Sequence, residues 1–161
     1  MKKFYKVKQE ELIKYSDLFK EDDVILPKRQ TVGSCGYDFY MPYDYILKAN
    51  SNGKVYSGIK IELGFDEFLM LCIRSSLAIK KGITLTNQVG IIDSDYFNNI
   101  DNDGHIIIAI TNNTNEDIIL KKGERLAQGI ICKYYKTDDD ETGENRYGGI
   151  GSTTKYGIKK L

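Results

Sequence analysis

Tyr56-Ser57-Gly58-Ile59-Lys60-Ile61-Glu62-Leu63 alternates apolar and polar residues, which sets Ile59, Ile61 and Leu63 on one face of an extended strand. A short way on, Phe68-Leu69-Met70-Leu71-Cys72-Ile73 is a nearly continuous apolar run of strand length, as a buried strand requires. Outward from this pair, His105 to Thr111, Ile118 to Leu120 and Ala127 to Tyr135 read the same way. The breaks between them are Asn and Gly turns: Asn50-Ser51-Asn52-Gly53, Asn98 to Gly104, and Asn112-Asn113-Thr114-Asn115. Two stretches depart from the strand pattern. Glu10 to Phe19 places Leu12, Ile13, Leu18 and Phe19 near one side of a helix, and Ser75 to Lys80 is a short helix that stops at Gly82. Many short strands joined by polar turns predict an all-β domain, a sandwich or a closed barrel.

The chain of 161 residues is one domain by length, and at 41% hydrophobic it can bury a core without staples. Lys plus Arg and Asp plus Glu both number 23, so a nucleic-acid binder relying on a globally basic surface is not expected. Cys35, Cys72 and Cys132 fit neither a disulfide framework nor a zinc site, and His105 is the only histidine. Chemistry must therefore run on carboxylates, hydroxyls, arginines and backbone amides. No apolar run is long enough to cross a bilayer or to act as a signal peptide, so the expected location is cytoplasmic.

Residues 1–136 read as the β domain, with the helix at about 10–19 as an extra element. From 137 to 161 the composition changes: Asp138-Asp139-Asp140-Glu141 precedes a glycine-rich stretch too poor in apolar residues to pack. Such an arm is either an inert tail or a flexible lid that orders on a ligand. Five local patterns could carry chemistry, and each has a plainer alternative. Arg74-Ser75-Ser76-Leu77-Ala78 enters a helix as an anion site would, or simply caps it. Asp93-Ser94-Asp95-Tyr96 offers a base and a flat ring, or a solvated turn. Gly123-Glu124-Arg125-Leu126-Ala127-Gln128 is a polar strand entry, or a structural ion pair at a hairpin. Gly148-Gly149-Ile150-Gly151-Ser152-Thr153 suits phosphate wrapping, or is a flexible tail; it lacks the Walker ending. Cys35-Gly36-Tyr37-Asp38-Phe39 is a turn whose Asp38 caps or supports a neighbour.

In this order the five patterns resemble the five motifs of the trimeric dUTPase family, with Asn87-Gln88-Val89-Gly90-Ile91-Ile92-Asp93-Ser94-Asp95-Tyr96 as the third and Arg146 to Thr153 as the fifth. The resemblance runs from about Leu26 to Thr154. It implies a β jelly roll, a homotrimer with shared active sites, and an arm that closes over a neighbour's pocket. The implied reaction is hydrolysis of dUTP to dUMP and pyrophosphate, which limits uracil incorporation into DNA and supplies dUMP. Asp93 matches the carboxylate that activates the water. Tyr96 matches the ring packed against deoxyribose. Asn87 with Gly90, Ile91, Ile92 and Asp93 would read uracil, largely through backbone groups. Arg74, Ser75, Ser76, Gln128, Arg146, Ile150, Gly151, Ser152 and Thr153 would hold the rest of the nucleotide, and Asp38 is a supporting carboxylate. The implied cofactor is Mg²⁺ held by phosphates and water, with no direct protein ligand.

The chain departs from the family pattern in four places. Ile150 stands where Phe usually stacks on uracil, a loss of about 1–3 kcal/mol. Arg146-Tyr147-Gly148-Gly149 is one residue tighter than usual, Phe97-Asn98 stands where x-Gly is common and is followed by a small insertion at Asn99 to Gly104, and the helix at 10–19 precedes the family start. Two other functions compete. A dCTP deaminase, alone or bifunctional, shares the fold and the Arg-Ser-Ser element, but its strand Glu falls on Ala109, which cannot shuttle protons. A regulatory binding protein on the same fold would have no need of Asp93, Tyr96, Arg74 and Gln128 together.

Overall fold

The computed structural model describes residues 1–143, 146 and 148–150. In chain order its elements are β1 (Lys3–Lys6), α1 (Gln9–Leu12), β2 (Tyr37–Tyr40), β3 (Tyr45–Leu47), β4 (Asn52–Tyr56), β5 (Ile59–Glu62) and β6 (Glu67–Ile73). After these come α2 (Ser75–Lys81), β7 (Ile83–Leu85), β8 (Gly90–Asp93), β9 (Ile107–Asn112), β10 (Ile118–Leu120) and β11 (Arg125–Lys133). The all-β expectation holds. β2-β11-β6-β8 forms the largest sheet, β4-β9-β7 the second, and β1-β5 and β3-β10 are pairs, all antiparallel. The core lies between them, with Phe39, Leu69, Ile83, Ile106, Ile108, Ile110, Leu120 and Leu126 essentially inaccessible to water.

The stretch from Tyr56 to Leu63 is divided between two strands rather than forming one. Gly58 breaks it, at φ 71°, where a Cβ would stand 2.6 Å from Val24. A non-glycine residue would pay both for that left-handed backbone and for the clash. The break lets the chain leave the β4-β9-β7 sheet and pair with β1. Ser57 Oγ secures the corner by donating to the Ile106 carbonyl at 2.6 Å, and the Gly58 N–H donates to His105 Nε2 at 2.8 Å. Beyond the corner the alternation works as read, since Ile59, Ile61 and Leu63 are buried. Lys60 is the departure: it points away from that face yet is only 6% exposed, because a carboxylate waits for it.

The N-terminal helix is shorter than the apolar spacing suggests. α1 spans one turn and passes into a 3₁₀ turn at Ile13–Tyr15. The tighter winding rotates side chains off a single stripe, so Leu12 and Phe19 are buried while Ile13 and Leu18 stay exposed. Glu11 is the unexpected anchor. Its carboxylate accepts from His105 Nδ1 at 3.1 Å, in a pocket from which both side chains exclude water. With Nδ1–H donating and Nε2 accepting from Gly58, His105 is a satisfied neutral imidazole in a structural role. α2 follows its sequence reading and ends on Gly82 in the left-handed conformation at φ 64°.

Candidate active site

β8 is the outer strand of the largest sheet, running from Gly90 opposite Leu71 to Asp93 opposite Phe68. The turn before it is tight: the Gln88 N–H donates to the Leu85 carbonyl at 3.0 Å, with Gln88 at φ 62°. Immediately after it a 3₁₀ turn, Ser94–Tyr96, folds Tyr96 back towards the core. Together they wall a cavity of about 620 Å³. Asn87, Gly90, Ile91, Ile92, Asp93, Tyr96, Arg146 and Ile150, all named from the sequence, line it.

Asp93 presents an exposed carboxylate at the mouth. Arg146 faces it, with Nη1 3.2 Å from Asp93 and 3.7 Å from Asp95, and its guanidinium carbon lies 5.6 Å from the centre of the Tyr96 ring. The Arg146 Nε is buried and meets no acceptor among the described residues. Tyr96 is itself buried, which pushes its phenol above the usual range despite the hydrogen bond from Asn102 and the nearby Arg146 charge. Ile150 sits at the rim, 77% exposed. Gly151, Ser152 and Thr153 lie outside the described residues.

The remaining sequence-named residues gather elsewhere. Buried Asp38 faces two arginines, Arg74 Nε at 3.3 Å and Arg125 Nη1 at 3.1 Å. Arg74 immediately precedes α2, whose first turn carries Ser75 and Ser76. Gln128 pairs with Asp38 across the β2-β11 ladder and leans on Gly36, where a Cβ would come within 2.7 Å of its Oε1. None of Arg74, Ser75, Ser76 and Gln128 lines the cavity. Glu124 and Arg125 do not pair with each other: Glu124 holds Lys81 at 2.8 Å, and Arg125 holds Asp38.

Sequence reading missed part of the wall. Tyr15, Lys54, Tyr56 and Thr86 also line the cavity, and so does Ala109. Tyr15 stacks on Tyr56 with ring centres 4.2 Å apart, and burial, with Glu11 nearby, raises its phenol to about 12. No local pattern marks these residues: the β4–β9 pairing brings in Lys54, Tyr56 and Ala109, while Tyr15 arrives from the 3₁₀ turn after α1 and Thr86 follows β7.

A protein-family model described as dUTPase matches residues 22–154. The chain belongs to the dUTPase family. It is 38% identical over 137 residues to the deoxyuridine 5'-triphosphate nucleotidohydrolase of Lactococcus lactis, covering 84% of this chain and 91% of the relative. It is 33% identical to the enzyme of the same name from Helicobacter pylori, covering 81% and 90%. Among solved structures, the dUTPase of Streptococcus mutans superposes with TM-score 0.72 at 33% identity, over 84% of this chain and 98% of that one. Within this dUTPase, Tyr15 lies ahead of the family match yet lines the cavity.

Proposed function

We propose that the chain hydrolyses dUTP to dUMP and pyrophosphate, with Asp93 as general base. The observation that carries this reading is one cavity holding both the Asn87 to Asp93 turn and strand and the Tyr96 ring, with the Asp93 carboxylate at its mouth. Asp93 takes a proton from a water as that water attacks the α-phosphorus in line, and the pyrophosphate leaves from the opposite side. Backbone groups of Gly90 to Ile92 and the Asn87 amide read uracil. A wrong base leaves these fixed partners unpaired, which is how such sites discriminate. Tyr96 stands against the deoxyribose.

The triphosphate is to be held by Arg74, Ser75, Ser76 and Gln128 together with the arm residues Arg146, Gly151, Ser152 and Thr153. Asp38 orients Arg74 rather than touching substrate. Because the Arg74 cluster is not part of the cavity wall, the complete site is read as shared, with a neighbouring copy in a homotrimer supplying it and the arm from residue 137 closing over the nucleotide. Arg146 now rests on Asp93, so a bound triphosphate must draw it away before the base is free. Mg²⁺ would be carried by phosphate oxygens and water, and Asp38 is engaged by both arginines rather than offered to a cation. A structural Mg(II) ion is named for the dUTPase of phage phi11, which shares the fold. When bound, the ion would neutralise charge on the triphosphate. No helix among the described residues is long and apolar enough to cross a membrane, and the three cysteines are free thiols, in keeping with a cytoplasmic enzyme.

The test is pyrophosphate release from dUTP, UTP, dTTP and dCTP with Mg²⁺, for the native chain and for Asp93→Asn. Turnover confined to dUTP, with kcat of the variant lower by orders of magnitude and nucleotide affinity largely kept, is expected. Near-native turnover by the variant removes Asp93 as the base, and ammonia released from dCTP overturns the reaction. Mixing Asp93→Asn with Arg74→Ala chains tests the shared site, because mixed trimers regain activity only if the two residues come from different copies.

A further inference from the structure

The insertion from Asn99 to Gly104 has the composition of a solvated turn, yet Asn99 and Asp103 within it are buried. Its hydrogen bonds converge on Tyr96. The Asn102 amide donates to the Tyr96 hydroxyl at 2.7 Å, and that hydroxyl donates to the His105 carbonyl at 3.0 Å. Asn99 Nδ2 donates both to the Tyr96 carbonyl and to Asn102 Oδ1, each at 2.8 Å, so the amide that orients the phenol is itself oriented. The other side of the Asn99 amide accepts the N–H groups of Asp101 and Asn102 at 3.1 Å. Gly104 closes the loop at φ 81°, so near that a Cβ would lie 2.8 Å from the Tyr96 carbonyl oxygen. From outside, Asp103 ties the loop to Lys60 at 2.7 Å and to the Lys8 N–H at 2.7 Å. The phenol therefore has its proton and a lone pair both committed.

Selection against a ribose needs more than contact. A pocket that merely packs against the site of an extra hydroxyl rejects it by about a hundredfold at most, because small shifts of the wall make room. A ring that cannot shift is a sterner barrier. We propose that Asn102, held by Asn99, is a positioning residue for sugar selection: it locks the Tyr96 ring so that a ribose 2′-hydroxyl meets a rigid wall. The inference rests on reading Tyr96 as the deoxyribose wall. It gives the insertion a role in choosing dUTP over UTP.

The experiment measures kcat/KM for dUTP and UTP in the full-length enzyme and in Asn102→Ala, Tyr96→Phe and Tyr96→Ala, with melting temperatures alongside. Tyr96→Phe removes the hydroxyl from the same bond while leaving the Asn99–Asn102 bond in place, so it serves even where Asn102→Ala loosens the loop. The expected result is a dUTP-to-UTP preference lowered about tenfold in Asn102→Ala and Tyr96→Phe alike, the net worth of one hydrogen bond. The fall should come through a gain in kcat/KM for UTP, which a general loss of stability would not produce. If Tyr96→Ala lowers the preference while the other two keep it at the native value, Asn102 has no positioning role and the inference is overturned, with the reading of Tyr96 intact. If Tyr96→Ala also keeps the native preference, the deoxyribose reading of Tyr96 fails and takes the inference with it.

Discussion

Replacing Lys60 by Met should be among the costliest single changes outside the site. Lys60 and Asp103 have side chains only 8% and 9% exposed and stand 2.7 Å apart, with the ammonium also donating to Asn98 Oδ1 at 2.6 Å and lying 5.1 Å from the Phe97 ring centre. Methionine keeps most of the stem and removes the charge, so the effect measured is mainly that of stranding Asp103. Breaking a buried pair in this way costs about 3–5 kcal/mol. Asp103 keeps the Lys8 N–H at 2.7 Å and the Lys8 ammonium at 3.5 Å, which argues for the lower end, about 3 kcal/mol. For a chain of this length that is a fall of roughly 6–12 °C in Tm. Melting must be compared at one protein concentration, because assembly adds its own stability. Burial opposes ionisation of Asp103, but the Lys60 hydrogen bond and the Lys8 N–H outweigh it and hold the carboxyl below its usual 3.8. A depressed carboxyl contributes fully above pH 3.8 and loses that contribution as pH falls through the folded value, while the stranded Asp103 of the variant takes up its proton earlier, so the gap between native and variant should narrow as pH falls. Lys60→Met with Asp103→Leu should regain much of the loss, since apolar replacement of a whole buried pair is often neutral. A single-variant cost under about 1 kcal/mol, the scale of a surface pair, would refute the reasoning.

Ile150→Phe should tighten binding of a non-hydrolysable dUTP analogue by about 1–3 kcal/mol, read by calorimetry; no gain would mean that base stacking does not hold the arm. Burial lowers the His105 imidazole below its ordinary 6.5, only partly offset by Glu11, so the unfolded chain takes up the proton first as pH falls. Stability should therefore decline below about pH 6.5, and His105→Gln should flatten the slope between about pH 7 and 5 in urea melts; an unchanged slope excludes His105 as its source.

How much of this was legible in the sequence depended on how far apart the partners lie. Ile59, Ile61 and Leu63 announce a buried face because alternation is a local signal, and Asp93 with Tyr96 is legible because the site uses consecutive residues of one strand and turn. Nothing local marks Lys60 and Asp103 as buried, since each finds its main partner in the other, 43 residues away. The loop from Asn98 to Gly104 misled for the same reason: polar composition signals a solvated turn unless the partners that bury it are known. Gly58 shows the reverse limit. The short apolar spacing on either side reads as one strand, and only the close approach of Val24 reveals why the chain must turn there. Tyr15 and Lys54 carry no motif at all, so their place on the cavity wall follows from the sheet pairing and the Glu11 anchor.

β8 ends its sheet, pairing with β6 on one side and, among the described residues, with no strand on the other. On the proposed reading of uracil by Gly90 to Ile92, such an edge stores its information in peptide groups, which every residue type but proline supplies alike. Systematic single-residue replacement along Gly90 to Ile92 would therefore score many positions as tolerant even where the recognition is strict. The vulnerable changes are those that alter the chain itself: a proline that deletes a donor, or a one-residue insertion that slips the register. Recognition of this kind is robust to drift in amino-acid identity and brittle to drift in length.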